Sequence, residues 1–262
     1  MPWSLLNLHL LLPGFALVLF RVAGLTLTAP MLSSQAIPAR FRIGFALTTA
    51  AVMFPLVSPT IPADISLTTA LVGVVGEMTI GLVIGLSVTL VLIGVQVAGM
   101  LIGQQAGIAL ASVVDPSQGT ESTVVGQIYV IVTTLIFLGI GGHRMMIAAL
   151  LDTFAVVPVL GFSFDPSMMD MIGDLLSAAF ILAVKLFAPV LIALLLASIV
   201  LGFLGRTIPQ LNILSVGFAV RSLAALTVAA LALAASQDVL VEALINCLQS
   251  IRTAFGLGPL SV

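Results

Sequence analysis

Chemistry has few places to reside in this chain. Glu77 stands in the segment VVGEMTIGLVIG, flanked by Gly73, Gly76, Gly81 and Gly85. A carboxylate in so apolar a run is costly unless it faces protein or water and has a partner or a proton. It is either a proton or ion site, or an interhelical hydrogen bond made where glycines let two backbones approach, and the second reading is favoured. Arg21 and Lys185 also lie inside apolar runs, and both have stems long enough to snorkel. Lys185 is expected to snorkel or to pair with a carboxylate rather than to act in transport. The histidines are His9 and His143 and the cysteine is Cys247, which excludes HExxH, a thiolate metal cage, an intrachain disulfide and a Cys-x-x-Cys pair. No nucleophile and base are paired, so the chain is not expected to be an enzyme, and no cofactor or metal site is expected.

The elements that must position these residues are set by composition. Of 262 residues, 61% are hydrophobic and only 7% charged, against about 25% charged in a soluble domain. The formal charge of -2 leaves no basic stripe, so nucleic acid is not a partner. Apolar runs cover Leu5 to Phe20, Ile43 to Val57, Leu67 to Val114, Val124 to Gly141, Met145 to Leu160, Leu175 to Leu204 and Leu211 to Ala235, with a weaker one from Val239 to Phe255. The first has no basic residues before it and no clear cleavage site, and is expected to be a retained helix. Continuous runs rich in Leu and Ala are unlike the alternating segments of barrel strands. The fold class is all-α and membrane-associated, one compact unit of bent and broken helical hairpins. Pro30, Pro38, Pro55, Pro59 and Pro62 break the first quarter, and Pro189 should kink the run that contains it.

Leu67 to Val114 is about twice a bilayer's thickness as one helix. It is expected to bend, break or leave the membrane. Counted as two crossings, it puts the loops of Arg40, Arg42, Arg144 and Arg206 on one side, which the positive-inside tendency makes cytoplasmic. Asp64, Asp115, Glu121, Asp165, Asp170 and Asp174 then fall on the other. Arg252 sits on the wrong side.

Gly99, Gly103 and Gly107 recur every four residues, a ladder that marks tight helix packing. Beyond it lies a short apolar piece, then the turn cluster Asp115-Pro116-Ser117-Gln118-Gly119, which reads as a re-entering loop of small residues. On composition alone an ordinary interhelical loop is the better description. Arg206, Pro209, Gln210 and Asn212 form the most polar break between two apolar helices and suggest a tight helical hairpin. His143 beside Arg144 is a junction histidine rather than a ligand.

Taken in order, Arg21 with Thr28-Ala29-Pro30, Ile37-Pro38-Ala39-Arg40, Gly76-Glu77 with Gly81 and Gly85, Gly99 through Gly107, Val114-Asp115-Pro116, Gly142-His143, Asp152-Thr153-Phe154, and Gly205-Arg206 with Pro209-Gln210 resemble the FliR family. This is the flagellar type III export-gate subunit, whose injectisome counterpart is SctT. Ala219 departs from the family, which often has proline there. The resemblance implies a gate assembled with FliP and FliQ and paired with FlhB, passing unfolded flagellar proteins out of the cytoplasm through the inner membrane at the flagellar basal body. It implies a FliP-like part over about 1–173 and a FliQ-like hairpin over about 174–262 of a single FliR-type unit. The family's assembled gate is held largely above the bilayer plane, so the long Leu67 run need not cross twice. The resemblance also implies a pore-closing plug over about 106–122, comprising Ala106, Gly107, Ile108, Ala109, Leu110, Ala111, Ser112, Val113, Val114, Asp115 and Pro116. Glu77, Gly99, Gly103, Arg206, Pro209 and Gln210 are then assembly residues. The alternatives are an injectisome gate subunit or a secondary transporter, although a transporter would normally show internal duplication of its halves, and none is found.

Overall fold

The computed structural model describes residues 8–34, 37–61, 67–107, 123–162, 166–208 and 213–258. Among them every regular element is a helix, as expected: α1 (Leu8–Thr28), α2 (Ala39–Val57), a 3-10 turn (Ser58–Thr60), α3 (Leu67–Gln105), α4 (Val124–Gly139), α5 (Gly142–Val156), α6 (Pro166–Thr207), α7 (Ile213–Ala235) and α8 (Gln237–Ala254). Proline and glycine set several boundaries. Pro38 caps α2 in an extended conformation, Pro166 opens α6, and Gly141 separates α4 from α5 in the left-handed region at φ 74°. Thr123 caps α4 by accepting the Gly126 N–H at 3.2 Å.

The long apolar run corrects one expectation. Leu67–Gln105 is a single helix of 39 residues, about 58 Å long at ~1.5 Å per residue, and not two crossings. Its interior lacks proline, and Gly81, Gly85, Gly94 and Gly99 lie against neighbouring backbone while Gly73, Gly76 and Gly103 lie against side chains, so each is covered by a neighbouring segment. The charge sorting that required two crossings loses its premise. α6 is longer, at 42 residues, and runs through Pro189 as one helix. Among the described residues, four helices are long and apolar enough to cross a membrane, and α4 with α5 forms a fifth candidate broken at Ile140 and Gly141.

The chain divides into two compact units, the first built from 1–90, 141–175 and 244–262 and the second from 91–140 and 176–243. In the first unit α1 and α2 form an antiparallel pair. Phe15 meets Phe54 edge-on at 5.6 Å and Gly14 faces Ile61. Arg42 closes the turn between them through the carbonyls of Ser34 and Ile37. α1 and the first part of α3 then run parallel at backbone contact: Gly24 lies on Met78 and Leu82, Gly81 on Arg21 and Leu25, and Gly85 on Thr28 and Ala29. Gly81, Gly85 and Thr89 follow at intervals of four and share one face. Thr28 Oγ1 donates to Leu82 O at 3.1 Å, and Thr89 Oγ1 donates back to Thr28 O.

In the second unit the later part of α3 packs antiparallel to α4, Gly99 on Gly126 and Gly103 on Thr123. Gly94 lies on the backbone of Ala179 in α6. α6 buries Ala179, Leu182, Ala183, Leu186, Val190 and Leu194 at helical spacing. Its opposite face exposes Phe180, Ile181, Val184, Ile192, Leu195, Ile199 and Phe203. A helix that is apolar on every side belongs in lipid or against other apolar helices, not in water. α6 and α7 are joined through residues 208–212, and Gly217 faces Leu201, the arrangement of a tight hairpin.

Gly81 and Gly44 provide a contrast. A methyl group at Gly81 would run into the α1 backbone, whereas one at Gly44 meets nothing within 4 Å. Gly81→Ala is expected to destabilise the protein by about 1–3 kcal/mol through overpacking, and Gly44→Ala to stabilise it by about 0.5–1 kcal/mol through helix propensity. Thermal unfolding of the detergent-purified chain should move in opposite directions for the two variants.

Candidate functional site

Arg21 and Glu77 meet in the first unit, and both side chains are fully buried. Arg21 sits where α1 crosses α3, one turn below the Gly24–Gly81 contact. Its Nε donates to Glu77 Oε2 at 2.5 Å, Nη1 to Thr153 Oγ1 at 3.1 Å and Nη2 to Val157 O at 3.0 Å. The guanidinium lies over the Phe154 ring, 3.9 Å from its centroid. The second carboxylate oxygen, Oε1, accepts the Leu160 N–H at 3.0 Å. Leu160 holds that N–H in place from a left-handed backbone at φ 69°, a conformation that costs energy for a non-glycine residue.

Chemically this is a tie between segments. α1 supplies the cation, α3 the anion, α5 the hydroxyl and ring, and the turn after α5 a carbonyl and an N–H. Gly73 and Gly76 let that turn approach, since Leu160 and Phe162 fill the space above them. Arg21, whose stem is long enough to snorkel, turns inward instead: it is 0% exposed and points at Glu77. Lys185, by contrast, is exposed on α6. Asp152, one residue before Thr153, adds a second tie, accepting from Arg252 Nη1 at 2.6 Å, and Arg252 Nε donates to Gly258 O. The consecutive residues Asp152, Thr153 and Phe154 thus each hold an arginine.

The second unit collects the other sequence-marked residues. Gly99 and Gly103 form the α3 surface on which the start of α4 rests, and Thr123 Oγ1 donates to Gly99 O at 3.0 Å. Gly107 belongs to a different structure from its two predecessors. It turns the chain out of α3 at φ 80° as a left-handed residue just past the helix end. Ala106 is 1% exposed. Ile108 to Pro116 lie outside the described residues, as do Pro209 and Gln210. Arg206 is exposed in the last turn of α6, and His143 is exposed at the start of α5. Two residues of α7 that sequence reasoning passed over touch the end of α3: Arg221 Nη2 donates to Gln105 O at 3.2 Å and Ser222 Oγ to Ala106 O at 2.9 Å. Arg221 could have been found, because it is the single charge in α7.

An apolar cleft of about 330 Å³ lies between α4 and α7, lined by Val125, Tyr129, Leu226 and Leu233 among others. Tyr129 spans part of it, its hydroxyl donating to Ala229 O at 2.8 Å. Among the described residues no three His, Cys, Asp or Glu side chains come together to hold a metal ion. Burial pushes the Cys247 thiol up to about 12, leaving almost no thiolate near neutrality.

Long apolar helices, glycine-mediated crossings and buried charges tied to each other define an α-helical membrane protein. The family described as bacterial export proteins, family 1, matches residues 12–246, and the chain belongs to that family. It is similar to the flagellar biosynthetic protein FliR of Bacillus subtilis (strain 168), 31% identical over 79% of this chain and 81% of the relative. FliR of Escherichia coli (strain K12) is 32% identical over 76% of each. The Yop proteins translocation protein T of Yersinia pestis is 27% identical over 79% of this chain and 81% of that protein.

Removing one member of the Arg21–Glu77 pair strands the other in a dry site. Glu77→Leu and Arg21→Leu should each cost about 3–5 kcal/mol, and the double variant clearly less than their sum. Glu77→Gln, which still accepts hydrogen bonds, should cost less than Glu77→Leu. A double-mutant cycle on thermal stability reads the coupling, and strict additivity would refute the tie. Cys247, 3% exposed, should resist iodoacetamide at pH 8 in the folded protein and react at once on denaturation, as mass spectrometry of the alkylated chain would record.

Proposed function

We propose that this chain is a subunit of the flagellar type III export gate in the bacterial inner membrane, at the flagellar basal body. The observation that carries the reading is the family match over 12–246 together with flagellar relatives at 30% identity and above across more than three quarters of the chain. In this reading it assembles with FliP and FliQ, pairs with FlhB, and helps form the channel that passes unfolded flagellar proteins out of the cytoplasm. The flagellar role is preferred to the injectisome one because the Yersinia relative is less similar, at 27%.

The division into a FliP-like part over about 1–173 and a FliQ-like hairpin over about 174–262 is supported by the tight α6–α7 pair. Its largely apolar exposed faces suit either lipid or neighbouring subunits. Glu77 acts in assembly by fixing the face that α1 and α3 present, Gly99 and Gly103 by seating α4, and Arg206, Pro209 and Gln210 by shaping the hairpin tip. The plug is assigned to Ala106 to Ser122, with Asp115 and Pro116 returning the chain from the pore. Its two roots support this, because α3 ends at Gln105 and Thr123 comes back onto Gly103, so the intervening residues leave and rejoin at one place. Small apolar side chains seal by many weak contacts, near ~0.1–0.2 kcal/mol per atom pair.

Co-purification tests the assignment: a gate subunit is recovered with FliP and FliQ, and recovery of the chain alone from cells that express both would refute it. Within the assembled complex, deletion of 107–114 is expected to leave the yield unchanged and to raise small-ion conductance of the membranes that carry it. An unchanged, closed baseline would mean that the pore is sealed elsewhere.

A further inference from the structure

The cleft between α4 and α7 has the form of a groove for a single hydrocarbon chain. Its walls repeat at helical spacing, from Val125 to Val132 on α4 and from Leu226 on α7 to Gln237 just beyond it. At ~1.5 Å per residue the longer wall extends about 16 Å. Ile128 and Leu226 on the rim are 50% and 46% exposed, so the groove opens outward. Tyr129 is the polar side chain within it, and its hydroxyl proton is already given to Ala229 O.

Size, depth and charge together identify an occupant. α7 is 23 residues long, about 34 Å, and apolar enough to cross a membrane, so hydrocarbon is the medium at the mouth of the groove. Left empty there, the walls would forfeit dispersion contacts. A helix is too wide to fill the space: 16 Å of a cylinder ~10 Å across takes roughly 1,200 Å³, against a cleft of about 330 Å³. From Gln237, just past the end of α7, the groove runs inward for about half of a ~30 Å hydrocarbon core, the depth of one leaflet. Gln237 is exposed at this polar end and can donate to a phosphate or ester oxygen. Asp238 and Glu242 follow at exposed positions one turn apart. Neither is in an ion pair among the described residues, and no Lys or Arg occurs from 222 to 251. Such a rim repels an anionic headgroup and attracts one that carries an ammonium.

We propose that this cleft binds one acyl chain of a zwitterionic, ethanolamine-type phospholipid, whose phosphate lies by Gln237 and whose ammonium lies by Asp238 and Glu242. The site does not depend on the export-gate reading. It requires only that α7 lie in a membrane.

The test is native mass spectrometry of the full chain, delipidated in detergent and mixed with equimolar dioleoyl phosphatidylethanolamine and dioleoyl phosphatidylglycerol. The expected species carries one phospholipid, with the ethanolamine lipid ahead of the glycerol lipid by roughly 3–5-fold, what an exposed charge pair supplies. Ala230→Leu/Ala234→Leu adds bulk at two exposed lining positions and should lower that species several-fold. Thr227→Leu, exposed on α7 outside the lining, should leave it unchanged. Asp238→Asn/Glu242→Gln should keep the lipid and bring the two headgroups to parity. If the Ala230/Ala234 variant does not fold, Ala234→Leu alone should lower the species by less. No retained phospholipid, or one indifferent to the substitutions at Ala230 and Ala234, overturns the site and leaves annular lipid only. A preference for the glycerol lipid, or an ethanolamine preference that survives Asp238→Asn/Glu242→Gln, overturns the headgroup assignment. The same measurement on the chain recovered with its partner subunits separates lipid from protein: retention supports the proposal, and loss of the phospholipid on assembly overturns it by giving the cleft to a neighbouring subunit.

Discussion

A buried guanidinium and a buried carboxylate cannot be left apart in an apolar interior, and the first unit is arranged around that constraint. Isolated, either charge would carry a desolvation penalty of several kcal/mol. Together, with a hydroxyl, a carbonyl and an N–H from the α5 region, Arg21 and Glu77 leave few polar atoms unanswered. Because the donors and acceptors come from α1, α3, α5 and the turn after it, the charges are satisfied only when all four are in place. The pair is thus a specification of geometry more than a source of net stability. The left-handed Leu160, otherwise hard to explain, follows from the same requirement, since it aims an N–H at the carboxylate.

Close approach is what lets the pair form. Helices in an apolar medium gain little from hiding hydrophobic surface, because lipid is as apolar as leucine, so they associate through backbone proximity and hydrogen bonds. The chain does this repeatedly. Gly24 on Gly81, Gly85 on Ala29, Gly94 on Ala179 and Gly99 on Gly126 each put main chain against main chain. Threonines then bond across the gap where the backbones touch, as Thr28 and Thr89 do between α1 and α3 and Thr123 does onto Gly99. Larger residues at these points would separate the helices and remove the hydrogen bonds along with the contact.

Helix ends carry the remaining polar demands. Arg252 reaches Asp152 and the chain beyond α8, Arg42 closes the turn after α1, and Arg221 closes the end of α3. In a chain with only eight Lys and Arg residues, these three join Arg21 in bonding to the protein's own backbone or carboxylates. Such usage accords with helices that present apolar faces outward: these four arginines serve to fasten segments.

Much of this protein was determined by sequence alone. Continuous apolar runs dictated helices, because a chain in an apolar medium must satisfy its own backbone groups, and proline and glycine marked many of their limits. Glu77 was legible as a residue needing a partner, and the glycine spacing showed where backbones would approach. Sequence could not say that the partner was Arg21, because a long cationic side chain can equally turn outward, and 56 residues separate the two. Nor could it show that Leu67–Gln105 is one helix, since apolar length is compatible with a bend until the neighbours that cover it are known. Gly107 continued the ladder of Gly99 and Gly103 by spacing, yet only its backbone torsion shows that it ends the helix. Arg221 and Ser222 were hidden for a related reason: what they bind are carbonyl oxygens, which every residue has. Identity along the chain decides which segments become helices and which residues are expensive to bury. Which backbone atoms end up within reach of those residues is fixed only when the helices cross.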